Sequence, residues 1–175
     1  MKILIAYAST DGQTRKIARF AADHFFDQGH TVELIHASDA KPIDMSRFDA
    51  TVLAGSLHAG KFQKALRNLA SRQRIALAQM KVAFLAVSLS AAGDDPDDWA
   101  GLDECINQFS TRTGWTPATV MHVAGAFRFS EYDFFKTWAM RWMAAKKDDS
   151  VDPHADKEYT DWDALRKTLD GWLAE

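Results

Sequence analysis

Apolar positions along this chain alternate between short runs and helical stripes. Residues 3–8 form a short apolar run closed by Ser9-Thr10-Asp11-Gly12, which predicts a buried strand. Residues 13–28 carry Ile17, Phe20, Ala21 and Phe25 at helical spacing, and Gly29 follows where a helix stops. Residues 31–36 predict a second strand, and a loop follows around Pro42. Residues 50–55 predict a third strand, entered from Phe48-Asp49 and left at Ser56. A helix is expected from residue 61 to about 74, with Phe62, Leu66 and Leu69 on one side. Residues 82–89 are a strongly apolar fourth strand, and 90–98 a loop of small and acidic residues. Residues 99–113 read as a helix ending at Gly114, and 119–124 as a fifth strand. The last helix spans 161–173, with Thr160 as its N-cap and Asp163 as the capping-box acid.

Apolar strands separated by helices predict an α/β fold: a parallel sheet covered on both faces. Five such strands favour the order 2-1-3-4-5, in a single domain over residues 1–175. One stretch departs from this pattern. Residues 127–159 are too many for a simple strand-to-helix connection, and they are expected to hold an extra helical insert after strand five.

Composition narrows the function classes. A chain of 175 residues suits one core, and a net charge of −3 gives no bias toward nucleic acid. The single cysteine, Cys105, excludes an internal disulfide and a cysteine-based zinc site, and is expected to be a buried, inert thiol on a helix. The opening apolar run is too short for a signal peptide, and no run approaches a membrane span, so the expected compartment is the cytoplasm.

In sheets of this order, ligands sit beyond the carboxyl ends of the strands, beside strand one. Ser9-Thr10-Asp11-Gly12-Gln13-Thr14 lies at that point, with three hydroxyls around one glycine and a helix immediately after. Helix-start N–H groups and hydroxyls can wrap a phosphate. Asp11 has to point away from such an anion. The alternative is a turn that only caps the helix. Other phosphate motifs are absent: Gly60-Lys61 is followed by Phe62, and no G-x-G-x-x-G occurs. Strand one ends at Tyr7-Ala8-Ser9, without the acidic cluster of a response-regulator receiver.

This loop resembles the phosphate site of flavodoxins, Thr/Ser-x-Thr-Gly-x-Thr, with Asp11 in place of the second hydroxyl. The resemblance implies a flavodoxin-like three-layer sandwich with FMN as cofactor. It also implies two further flavin loops, Ser56-Leu57-His58-Ala59-Gly60 and Ser88-Leu89-Ser90-Ala91-Ala92-Gly93. Many flavodoxins stack an aromatic ring on the flavin from these loops, whereas here His58 is the only ring in either. His58 is therefore a candidate flavin contact or a surface histidine.

The stretch after strand five is rich in aromatic and basic residues. At 3.6 residues per turn, Phe134, Phe135, Trp138, Trp142 and Ala145 share one arc, widened by Tyr132, Ala139 and Met143. Asp133, Lys136, Thr137 and Lys147 lie opposite, with Arg141 and Lys146 at the edges. Three readings stand: a helix packed on the core, an interfacial membrane helix, or a wall for a large flat substrate. Burying each large apolar side chain is worth about 1.5–3 kcal/mol, so some surface must cover them.

The start Ser9 to Arg15, the segment Gly125-Ala126-Phe127-Arg128-Phe129, the insert, and Tyr159-Thr160-Asp161-Trp162 together resemble the flavodoxin-type, quinone-dependent protoporphyrinogen oxidases of bacteria. That family commonly has an arginine and a tyrosine near the glycine of the loop after strand three, where this chain has His58 and Ala59. The resemblance implies oxidation of protoporphyrinogen IX to protoporphyrin IX, with menaquinone or ubiquinone as acceptor. It also implies peripheral contact with the cytoplasmic face of the inner membrane, through Phe134, Phe135, Trp138, Arg141 and Trp142, and a possible homo-oligomer. No acid–base residue is required. His58 and Arg128 are the catalytic-site candidates, Arg128 as a partner for a substrate propionate or else a surface arginine. Two other functions remain open: an NAD(P)H-dependent FMN quinone reductase, and a non-enzymatic electron carrier. The charge of −3 disfavours the carrier.

Overall fold

The computed structural model describes residues 1–40, 43–127 and 156–175. The loop at Pro42, the expected insert helix, Arg128, Phe134, Phe135, Trp138, Arg141 and Trp142 lie outside the described residues.

Strands β1 (Lys2–Ala8), β2 (Thr31–His36), β3 (Ala50–Ser56), β4 (Lys81–Ser88) and β5 (Thr119–Ala124) pair in parallel. Their order is β2-β1-β3-β4-β5, as expected. The middles of the three inner strands are apolar, the buried Thr51 apart, because both faces are covered. One face carries Ile3, Ile5, Val52, Ala54 and Leu85 against helix α1 (Gln13–Asp27) and the C-terminal helix. The other carries Leu4, Ala6, Leu53 and Phe84 against α2 (Lys64–Arg72) and α4 (Pro96–Thr113), with the short α3 (Arg74–Leu77) between them in sequence. The C-terminal helix is α5 (Trp162–Ala174).

The starts of three helices differ from expectation, and a short two-stranded sheet is added. Helix α2 begins at Lys64 rather than 61, because His58 and Lys61 form an antiparallel bridge with N–H···O bonds of 2.9 and 3.1 Å. Ala59 (φ 48°) and Gly60 (φ 72°) turn the chain between them. Phe62 is buried but precedes the helix, set edge-on to Phe84 and Phe109 at centroid distances of 5.0 and 5.4 Å. Helix α4 starts three residues early, at Pro96, because the Asp95 carboxylate accepts from the Asp97 N–H at 2.9 Å and proline suits a first helical turn.

Thr160 is not the cap of α5. Asp161 is, accepting from the Ala164 N–H at 2.9 Å, so Asp163 sits inside the first turn and forms no capping box. Thr160 is instead buried, and its hydroxyl donates to the Ala124 carbonyl at 2.6 Å. Finally, β6 (Ala126–Phe127) and β7 (Lys157–Glu158) pair antiparallel. Two residues each are too few for a period-2 pattern to register. Their pairing holds the two ends of the intervening stretch side by side.

Candidate functional site

Gly12 opens α1 in the left-handed region, with φ 89° and ψ −16°. A Cβ there would meet nothing within 4 Å, so backbone conformation rather than space is what calls for glycine. The Gly12 N–H donates to the Ser9 hydroxyl at 2.9 Å, and the Gly12 carbonyl accepts from Lys16 at 3.1 Å. No side chain caps α1, and its first turn holds no acid. The first N–H groups of a helix need partners from elsewhere, and the helix dipole adds roughly 0.3–1 kcal/mol for an anion placed there.

Thr14 supplies the second observation. It is 1% exposed, and its Oγ1 is buried without a hydrogen-bond partner. An unpaired buried hydroxyl costs about 1–3 kcal/mol. A phosphate oxygen at the mouth of α1 would relieve that cost and take up the helix-start N–H groups together. The residues present therefore fit the phosphate of a mononucleotide cofactor.

The loop lies at one end of a cleft of about 1080 Å³, measured out to open solvent. Of the expected loop residues, Ser9, Asp11, Gln13 and Thr14 line it, followed by Ser56, Leu57, His58, Ala59 and Gly60, then Ser88, Leu89 and Ser90. Thr10, Gly12, Ala91, Ala92 and Gly93 lie off the wall. Thr10 Oγ1 accepts from Gln63 Nε2 at 3.0 Å, and Gln63 also donates to the Ser56 hydroxyl, so Gln63 ties the first loop to the second. Residues 89–93 curl into a 3₁₀ turn, Ser90–Ala92. Ala92 N–H donates to Leu89 O and Gly93 N–H to Ser90 O, while Trp99 Nε1 donates to Gly93 O at 3.0 Å. Asp11 is exposed and lines the cleft mouth.

One wall was not legible beforehand. Helix α4 places Gly101, Leu102 and Cys105 on the cleft, and its early start adds Asp97 and Asp98, beside Val87 of β4 and Gly125-Ala126. Cys105 is thus partly exposed rather than buried. Burial, and secondarily the neighbouring Glu104, hold its thiol above the usual range and keep it protonated. Gly125 is buried where cleft floor and sheet meet. A Cβ there would come 3.3 Å from Val87 Cγ1, and its N–H donates to Ser88 O at 2.9 Å. Among the described lining residues His58 is the sole ring. No described group of His, Cys, Asp and Glu could hold a metal, and no described helix is long and apolar enough to cross a membrane.

The start of α1 is also tied to the far end of the chain. Gln13 Nε2 donates to Thr160 Oγ1 at 2.9 Å and to Glu158 Oε2 at 3.1 Å. Lys16 Nζ donates to the same Glu158 oxygen at 2.6 Å, and Trp162 Nε1 to Glu158 Oε1 at 2.9 Å. The Lys16 hydrogen bond, followed by those from Trp162 and Gln13, holds the Glu158 carboxyl below its ordinary range. Gln13 thus presents its backbone to the phosphate loop while its side chain anchors β7.

Residues 4–153 match the flavodoxin domain family. The chain belongs to that family. Membership points to a flavin as the group the cradle serves. Solved flavodoxins share the fold. A short-chain flavodoxin associated with a bacterial microcompartment superposes with a TM-score of 0.57 at 13% identity, covering 99% of this chain and 97% of its own. The oxidised flavodoxin 2 of Bacillus cereus gives 0.53 at 19%, covering 81% and 99%. Among curated proteins, one from Leishmania major named protoporphyrinogen IX dehydrogenase [quinone] is 26% identical over 99% of this chain and 75% of its own length. The protein of that name from Escherichia coli K12 is 23% identical over 94% and 91%.

Proposed function

We propose that this protein binds FMN and oxidises protoporphyrinogen IX to protoporphyrin IX, passing the electrons to a quinone. The observation that carries the cofactor is the uncapped start of α1 with the unpartnered Thr14 hydroxyl beside it. The substrate follows from the two curated relatives, which align with nearly the whole chain.

FMN, when bound, supplies the two-electron redox chemistry. Conversion of the substrate releases six electrons and six protons, which three quinones take up as three quinols. The chain's own residues bind and orient. Ser9, Gln13 and Thr14 hold the phosphate through hydroxyls and N–H groups, with Gly12 setting the turn between them. Residues 56–60 and 88–90 would flank the cofactor's ring system, where His58 offers an aromatic edge and Leu57, Leu89 and Leu102 limit access of water. Arg128 pairs with a substrate propionate. Phe134, Phe135, Trp138, Arg141 and Trp142 form a peripheral membrane contact that brings a lipid-soluble quinone to the cleft.

The test is direct. Purified protein should show a flavin absorbance spectrum and should generate porphyrin fluorescence from protoporphyrinogen under anaerobic conditions only when quinone is added. Absence of flavin removes the whole reading. Flavin that is bleached by NADPH, with no quinone-dependent porphyrin formation, replaces it with a nicotinamide-dependent quinone reductase. Cosedimentation with liposomes that is unaffected by deleting residues 128–155 removes the membrane contact.

A further inference from the structure

A second, much smaller pocket opens between α2 and α4, a shallow recess of about 200 Å³ with the solvent at its open mouth counted in. It adjoins the cleft, because Gly60 and Cys105 line both. Its floor is the aromatic pair Phe62 and Phe109, and its rim carries three cations, Lys61, Arg67 and Arg112. Among the described residues none of the three takes part in an ion pair. Gln108, the remaining polar side chain of the pocket, donates to Glu104 at 2.9 Å.

Arg67 shows that the arrangement is incomplete. Its Nε is buried with no hydrogen-bond partner. A guanidinium N–H shut away from water without an acceptor is a costly state, and it is relieved by an anion. Arginine presents a planar fork that matches a carboxylate, and two arginines with a lysine on an aromatic floor form a receptor for one. The pocket continues the cleft along one face of α4, from Cys105, which lines both, to Arg112, about 10 Å of helix further on.

We infer that Lys61, Arg67 and Arg112 form a carboxylate subsite, which takes a propionate of the tetrapyrrole while its ring system lies over the cleft. The inference rests on the proposed substrate and assigns that substrate a direction of approach, from the α2–α4 side of the cleft. It also gives the chain a substrate anchor at described positions, separate from Arg128.

The test compares protoporphyrin IX with its dimethyl ester, which lacks both carboxylates, in titrations of the FMN-loaded protein read by porphyrin absorbance. The native protein should bind the acid about tenfold more tightly than the ester or better, as expected for a charge-assisted fork. In Arg67→Gln with Arg112→Gln, the acid should weaken to within about twofold of the ester, with FMN content unchanged. Arg67→Lys with Arg112→Lys should restore part of the gap, which a purely structural role would not do. If the double variant loses FMN, Arg112→Gln alone carries the test. The subsite is overturned if the native protein does not distinguish acid from ester, binds neither, or keeps its full preference in the double variant. It is equally overturned if the double variant abolishes bleaching by NADPH, since the cations then serve a nicotinamide phosphate. The two proposals fail separately. An acid preference without porphyrin formation from protoporphyrinogen removes the reaction and leaves the subsite, whereas turnover without an acid preference removes the subsite alone.

Discussion

The two ends of the cleft are built from different materials. At the β1–α1 end, the groups that face a ligand are backbone N–H groups and short hydroxyls, held by a left-handed glycine and the first turn of a 15-residue helix. At the other end, the loops after β3 and β4 offer small and aliphatic residues, one histidine and a wall of α4. The first end recognises an anion with parts that this fold supplies wherever a helix follows strand one. The second end offers side chains rather than helix-start N–H groups: Ser56, His58, Ser88 and Ser90 from the loops, and Asp97 and Asp98 from α4. The difference teaches that cofactor class belongs to the first end and reaction to the second.

Changing each end in turn breaks or sharpens this contrast. The largest effect is expected from Gly12→Val. A β-branched residue at φ 89° carries at least about 1–2 kcal/mol of strain, and relief of that strain moves the cradle. FMN affinity measured by fluorescence titration should fall by about 100-fold, and an unchanged affinity would show that the loop does not hold the phosphate.

Thr14→Val acts at the same end with opposite signs on two measurements. Removing an unpaired buried hydroxyl should raise apoprotein stability by up to about 1 kcal/mol in denaturant melts, while FMN affinity drops about tenfold. A loss of both would mean that the hydroxyl has a structural partner in the apoprotein.

Thr160→Val tests the anchor behind the cradle. It removes the bonds to Ala124 O and from Gln13 and leaves those groups buried, a loss of about 1–3 kcal/mol in the same melts. The FMN-loaded protein should lose more than the apoprotein.

At the second end, His58→Phe should tighten FMN by a factor of about 2–10, since an aromatic contact adds roughly 0.5–1.5 kcal/mol. No change would place that loop away from the ring system.

The smallest effect concerns His122, behind the β4 loop. Its ring meets Trp99 edge-on at 5.3 Å, and burial holds its pKa below the ordinary value despite Asp103 at 4.0 Å. The unfolded chain therefore takes up the proton first. The associated stability is present above about pH 6.5 and is lost as pH falls through the folded pKa. Melts between pH 7 and 5 should show a shallower acid loss in His122→Gln than in the parent.

How far the molecule could be read in advance follows from what each signal reports. The strand runs at residues 3–8, 31–36 and 119–124 and the end of α4 at Gly114 were legible to within a residue, because burial on both faces and a left-handed stop leave local marks. The start of α2 was not, since the stripe Phe62, Leu66, Leu69 is equally apolar whether or not its first member is helical. Nor was the choice between Thr160 and Asp161. Both are good caps, and only the Ala124 carbonyl and Gln13 amide draw Thr160 inward.

The sequence by itself determined the order of strands and helices, the sheet's two covered faces, and the hydroxyl and glycine chemistry at the start of α1. Each of these depends on residues close together in the chain. Tertiary structure alone decided that Gln63 braces Thr10, that Gln13 reaches Glu158 across 145 positions, that α4 walls the cleft, and that Lys61, Arg67 and Arg112 converge beside it. The physical reason is that periodicity reports which face of an element is buried, while packing decides which distant element comes to cover it.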